Sequence, residues 1–335
     1  MNHHDLPARL SLASPADVLA AVPYLLGFHP THSVVTVGLT GTKVTVVSRA
    51  DLPDPAEVTR WVNAFAPQQI VVLGNVSATA VIVVGYGAAP IVTPVVDVLR
   101  PRLLAAGIDL LDTLRVTDGR FYSYQCRDPR CCPVDGLPFD PTTSATAVRA
   151  IAAGQVALPD RAALVASVAA VTGPARDAMT AATRRARQRL TAVQAAGGRA
   201  AVIRLGRAAV EDTFDRYRDE HVAADDEVAW LTVLLTHIAV RDIAWEATTG
   251  TQPWHMAVWT DLTRRADPSL AAAPASLLAF AAWREGLGAL AAVALDRALT
   301  ADPHYRLAHI LDRALRDGIP PAVLEQWPST GEPTA

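Results

Sequence analysis

The sequence is almost without lysine. Lys43 stands alone, so arginine carries nearly all of the positive charge. A P-loop needs a Gly-Lys-Ser/Thr triplet and none is present, and no second lysine is available for Schiff-base chemistry. No large charge excess of either sign exists: the net charge is −3 over 335 residues. A protein that grips nucleic acid broadly needs a basic face, so that class is not expected. GxSxG, HExxH and EF-hand patterns are missing too. The opening residues MNHHDLPARL lack the apolar stretch of a signal peptide.

Ile70 to Val96 carries no charge and would fit a membrane span by hydropathy. Gly74-Asn75, Gly85-Tyr86-Gly87 and Pro90 cut it with turn signals, so it reads as two strands and a helix start. The expected location is therefore soluble and cytoplasmic, with no membrane role. Pro and Gly are scattered and 51% of residues are hydrophobic, which supplies a core for two domains.

What is present falls into two halves. Ser14-Pro15-Ala16-Asp17 caps a helix that Gly27 ends. Strands are predicted at 33–39 and 44–48, about a turn at Gly41. A second helix starts at Asp54-Pro55 and runs to Ala66. Gln69 to Leu73 and Thr79 to Val84 are short apolar runs, read as strands buried on both faces. A helix at 93–106 and a hairpin, 114–117 and 120–125, follow; Asp118-Gly119 supplies the positive φ of a primed turn. The first half thus predicts an α/β domain, a mixed sheet of about six strands with covering helices, over residues 1–140.

From Thr143 the pattern is helical. An all-helical domain is expected over 141–328, with a flexible tail at 329–335. Its helices are placed at 143–153, from Asp160 to Ala170, 174–195, 199–218 beyond the Gly197-Gly198 break, 227–247, 254–265, 275–285, 287–300, 303–316 and 321–327. The stretch 275–303 resembles one tetratricopeptide repeat, through Ala279, Gly286, Ala291, Leu295, Ala298 and Pro303.

Three features carry candidate chemistry. The chain's three cysteines, Cys126, Cys131 and Cys132, lie together after the hairpin. Thiolates bind zinc well, and the pair His29 and His32 supplies the best candidate in the first domain for a fourth ligand. Adjacent cysteines seldom share one tetrahedral ion, so two other readings stay open: a disulfide from Cys126 to one neighbour, or apolar thiols packing a loop. Asp118 and Arg120, with Tyr122 and Tyr124 on the arginine's side of the strand, would suit an anionic ligand. A solvated hairpin tip is the plainer account. Arg241-Asp242 interrupts an apolar helix and would either anchor it or line a cleft. Gly85-Tyr86-Gly87 half matches a dinucleotide loop, but proline occupies the third glycine position, which leaves a turn.

Taken together these stretches resemble the actinobacterial domain-of-unknown-function 4192 family. Ser14-Pro15-Ala16-Asp17 carries the resemblance. So do Pro23 to Pro30 running into Ser33-Val34-Val35, Asp118-Gly119-Arg120, Ser123-Tyr124, Cys126 through Cys131-Cys132-Pro133, Arg241-Asp242 and Ala279 to Pro303. It covers nearly the whole chain and implies no activity. His32 falls outside the pattern. Two functions are consistent with the residues. One is a binding or scaffold protein whose helical domain receives a protein or peptide. The other is an enzyme or small-ligand sensor at Arg120 and the cysteine loop, metal- or redox-linked.

Overall fold

A computed structural model describes residues 14–325, apart from Thr249 and Thr251. The opening residues, the expected tail at 329–335 and the last positions of the helix expected at 321–327 lie outside the described residues. Two compact units are present. One ends at Leu164 and takes in Arg316–Pro320; the other runs Val165–Leu315 and resumes at Pro321.

The first unit opens with α1 (Pro15–Leu26). Ser14 Oγ accepts from the Asp17 N–H, and Gly27 closes the helix at φ 79°. Strands β1 (Ser33–Thr40) and β2 (Lys43–Asp51) form an antiparallel pair. Helix α2 (Val58–Asn75), β3 (Ala80–Tyr86), α3 (Ala89–Ala105) and β4 (Asp109–Thr117) come next, then the short strands β5 (Arg120–Ser123) and β6 (Leu137–Pro138). The sheet order is β2-β1-β3-β4-β5-β6. Pairing is antiparallel except between β3 and β4, where α3 makes the crossover that parallel strands require.

The mixed sheet has six strands, but one member differs from expectation. Gln69 to Leu73 is not a strand; it is the second half of α2. Gln69, Val72 and Leu73 are buried there while Val71 faces out, the spacing of a helix and not of a strand covered on both faces. The Gln69 carboxamide oxygen accepts from Thr36 Oγ1 (2.7 Å) and Ser48 Oγ, a tie that needs the helix to lie across the sheet. Pro67 sits inside α2, on its exposed side. The sixth strand is β6, beyond the cysteines. Val62, Phe65 and Leu73 of α2 and Val95, Val96 and Leu99 of α3 cover one face of the sheet, against Val34, Val81 and Val83. A Cβ on Gly85 would come within 2.2 Å of Val92, so that glycine lets α3 approach the end of β3 and serves packing, not a phosphate. The segment Arg316–Pro320 lies along α2, where Asn75 Nδ2 donates to the Asp317 carbonyl (2.7 Å).

Helices α4 (Ala145–Ala152) and α5 (Arg161–Ser167) follow the sheet. Helix α4 packs on α1 through Ala147, Ala150 and Tyr24. The second unit begins in earnest with α6 (Gly173–Arg218), which is non-helical at Gly198 (φ 57°), where the break was expected. The helix expected at 227–247 is two helices, α7 (Asp225–Leu234) and α8 (Ile238–Ala247), bent by 113° at the intervening residues. Neither Gly nor Pro marks that bend; the Thr236 hydroxyl donates to the Val233 carbonyl there (2.7 Å) and competes with the ladder. Helices α9 (Pro253–Arg265), α10 (Ala272–Arg284), α11 (Gly288–Ala301), α12 (Arg306–Arg316) and α13 (Ala322–Glu325) complete the chain. From Ala272 to Trp283 every residue of α10 is buried, as an interior helix requires. Among the described residues no single helix is long and apolar enough to cross a membrane. The pair α7 and α8 reaches that composition only jointly, across its bend.

Candidate functional site

The β4–β5 hairpin turns as its sequence requires. Asp118 (φ 51°) and Gly119 (φ 68°) both take the left-handed conformation of a primed turn. Strand β5 then delivers the chain to the cysteine loop. Ser123 Oγ accepts from the N–H groups of Gln125 and Cys126, both at 3.1 Å, and donates to Asp112 (3.0 Å). Asp128 organises the tip. Its carbonyl accepts from the N–H groups of Cys131 (3.0 Å) and Cys132 (2.7 Å), and its carboxylate accepts from Arg130. The return is fixed by Arg120, whose Nη1 donates to the Gly136 carbonyl (2.9 Å), and by pairing of β6 with β5.

This loop brings the three sulfurs within 4.8 Å of one another. All three cysteines are free thiols, with Cys131 exposed and the other two half-buried. They differ in acidity. Hydrogen bonds from the Cys132 thiol and the Asp128 backbone N–H hold Cys126 below the usual thiol range. Burial, and then its role as donor to Cys126 and Cys131, push Cys132 up to about 12. Cys126 therefore gives up its proton more readily than Cys132, and a cation bound by the cluster would displace the thiol protons. Beside it Phe121, Tyr122, Ser123, Cys132, Pro133 and Val134 help line a recess of about 170 Å³.

The other expected residues do not gather around the sulfurs. No histidine joins the cluster among the described residues. The His29 backbone N–H bonds to the Leu158 carbonyl, and His32 is exposed at φ 45°. Asp118 lies at the exposed turn, beside the Thr117 hydroxyl. Arg120 spends its guanidinium on loop carbonyls. The Tyr124 hydroxyl pairs with Thr93 Oγ1 (2.8 Å) at the edge of the core, and burial raises its pKa. Arg241 and Asp242 belong to the other unit and bond to each other through Asp242 Oδ1.

Sequence reasoning missed one arrangement altogether. In the helical unit, α6 and the start of α9 bound a cavity of about 720 Å³. Phe214, Trp254 and His255 form its aromatic wall, with Glu211, Asp215 and Arg218 also lining it. His255 is 3% exposed and its Nε2 has no hydrogen-bond partner. The single trace in sequence is the Trp254-His255 pair after Pro253.

No curated protein and no solved structure matches the chain. The family model described as a domain of unknown function, DUF4192, matches residues 15–322, and the chain belongs to that family.

Proposed function

We propose that this member of the DUF4192 family is a metal-binding protein in which Cys126, Cys131 and Cys132 hold one zinc ion. The supporting observation is the convergence of the three sulfurs within 4.8 Å on a loop pinned at both ends. A loop already fixed by Ser123, Asp128 and Arg120 loses little freedom on binding. Three thiolates leave the fourth position of a tetrahedral ion open, on the side where Cys131 is exposed. A ligand sensor needs such a vacancy.

The scaffold reading of the helical domain has less behind it. Its support was the resemblance of the α10–α11 hairpin to a repeat. Ala279, Ala291, Leu295 and Ala298 are all buried and spend their surface on helix packing.

The test uses full-length protein reconstituted with zinc under reducing conditions. About one equivalent is expected to survive dialysis, with release on Cys126→Ser and tighter binding as pH rises, because the thiols must lose protons. Copper(I) provides the second arm, since soft thiolates also suit that ion. No retained metal in either arm overturns the proposal. A thiol count on metal-free protein purified without reductant separates the disulfide reading: three reactive cysteines are expected, whereas an oxidised pair leaves a single reactive thiol.

A further inference from the structure

The helical cavity lies in a different unit from the cysteines and stands independently of the metal reading. Its volume, about 720 Å³, falls in the range of small-molecule sites. The wall is aromatic. The Phe214 ring lies 5.0 Å from Trp254 and 5.4 Å from His255, and Trp254 meets His255 edge-on at 3.9 Å. Such rings accept a flat apolar body.

The polar groups are unevenly placed. On α6, Glu211, Asp215 and Arg218 follow at successive turns, all exposed. Arg218 is bonded to Asp215 and lies 5.2 Å from the Trp254 ring centroid. One acid therefore remains in excess, and the opening is net negative. At the buried end His255 offers a nitrogen with no partner. Burial, then the charges of Arg284 and Arg218, hold its imidazole neutral. A neutral imidazole can accept from, or donate to, an uncharged hydroxyl, but the same field repels a cation from that end.

We propose that this cavity binds a small aromatic amine carrying a hydroxyl at the far end of its ring. The ammonium group faces Glu211 and Asp215, the ring lies against Phe214 and Trp254, and the hydroxyl bonds to His255 Nε2. A buried polar atom left without a partner costs stability, and this pairing relieves it.

Tyramine has all three parts and is the probe. 4-Ethylphenol lacks the ammonium, and phenethylamine lacks the hydroxyl. Titration calorimetry on the full chain is expected to rank tyramine above both, each by about tenfold, the factor that corresponds to one charged or buried hydrogen bond. Glu211→Gln, at an exposed position, is expected to weaken tyramine while leaving 4-ethylphenol unchanged. His255→Phe is expected to abolish the preference for tyramine over phenethylamine. Absence of saturable tyramine binding at millimolar concentration overturns the proposal. So does equal binding of 4-ethylphenol, or tyramine affinity indifferent to Glu211→Gln.

Discussion

The cysteine loop draws its three sulfurs from residues 126–132, whereas the helical cavity draws its lining from α6 and, further along the chain, from the end of α8 and the start of α9. The first is built by backbone. Ser123, Asp128 and Arg120 fix a turn whose side chains then point together. The second is built by packing, since nothing local to Phe214 or His255 sets their distance. The solvent differs as well. A half-exposed Cys126 shifts toward its charged form because donors surround it; a buried His255 is denied its charged form because water is excluded. Sites made locally keep their chemistry when distant packing is loosened. Sites made by packing do not.

That contrast can be broken by experiment. The largest effect should come from Trp259→Ala. Trp259 is fully buried on α9, its indole N–H donating to Thr248 Oγ1 (3.0 Å). Truncation should cost about 3–5 kcal/mol in calorimetric melting. Zinc stoichiometry should be unchanged at a temperature where the protein is folded; loss of zinc would show that the cysteine loop also depends on helical packing.

A smaller effect should follow from pH. His255 titrates near 6.5 when unfolded, but its pKa is lowered to about 4 in the fold. Below 6.5 the unfolded chain takes a proton that the folded chain refuses. The stability due to neutral His255 is therefore complete above pH 6.5 and declines as pH falls toward 4. The total is at most about 3.5 kcal/mol, at about 1.4 kcal/mol per pKa unit. Denaturant melts at pH 7 and pH 4.5, compared between the native chain and His255→Phe, measure it. An identical pH dependence in both would place the acid sensitivity elsewhere.

The smallest effect tests the local side. Gly119 holds φ 68° in open space, so Gly119→Val adds backbone strain and no clash. A loss of about 1 kcal/mol or more is expected by denaturant melting. An unchanged midpoint would mean that the hairpin tolerates a different turn and that the loop is less fixed than its hydrogen bonds imply.

The same division explains what the sequence disclosed. The Ser14 cap, the Gly27 stop, the Asp118-Gly119 turn and the break at Gly198 are local, and each lies where its residues place it. Gln69 to Leu73 reads as a strand in sequence because a short apolar run fits a strand or a buried helix equally. What decides it, the bonds of Gln69 to Thr36 and Ser48, spans the sheet. The bend between α7 and α8 has no marker residue at all. For the sites, clustered cysteines announced themselves by spacing. His255 did not, since an isolated histidine reveals neither its burial nor its missing partner.

The return of Arg316–Pro320 to α2 bears on how the protein is made. A chain emerging from the ribosome folds its amino-terminal parts first. Here the sheet unit cannot be finished in that order. Asn75 waits for the carbonyl of Asp317, and the Val72 side chain for Gly318, until the whole helical unit has been synthesised. A fragment ending at Leu164 would leave that flank of α2 uncovered. Late closure of this kind makes the synthesis of residues 316–320 the step at which the sheet unit becomes complete.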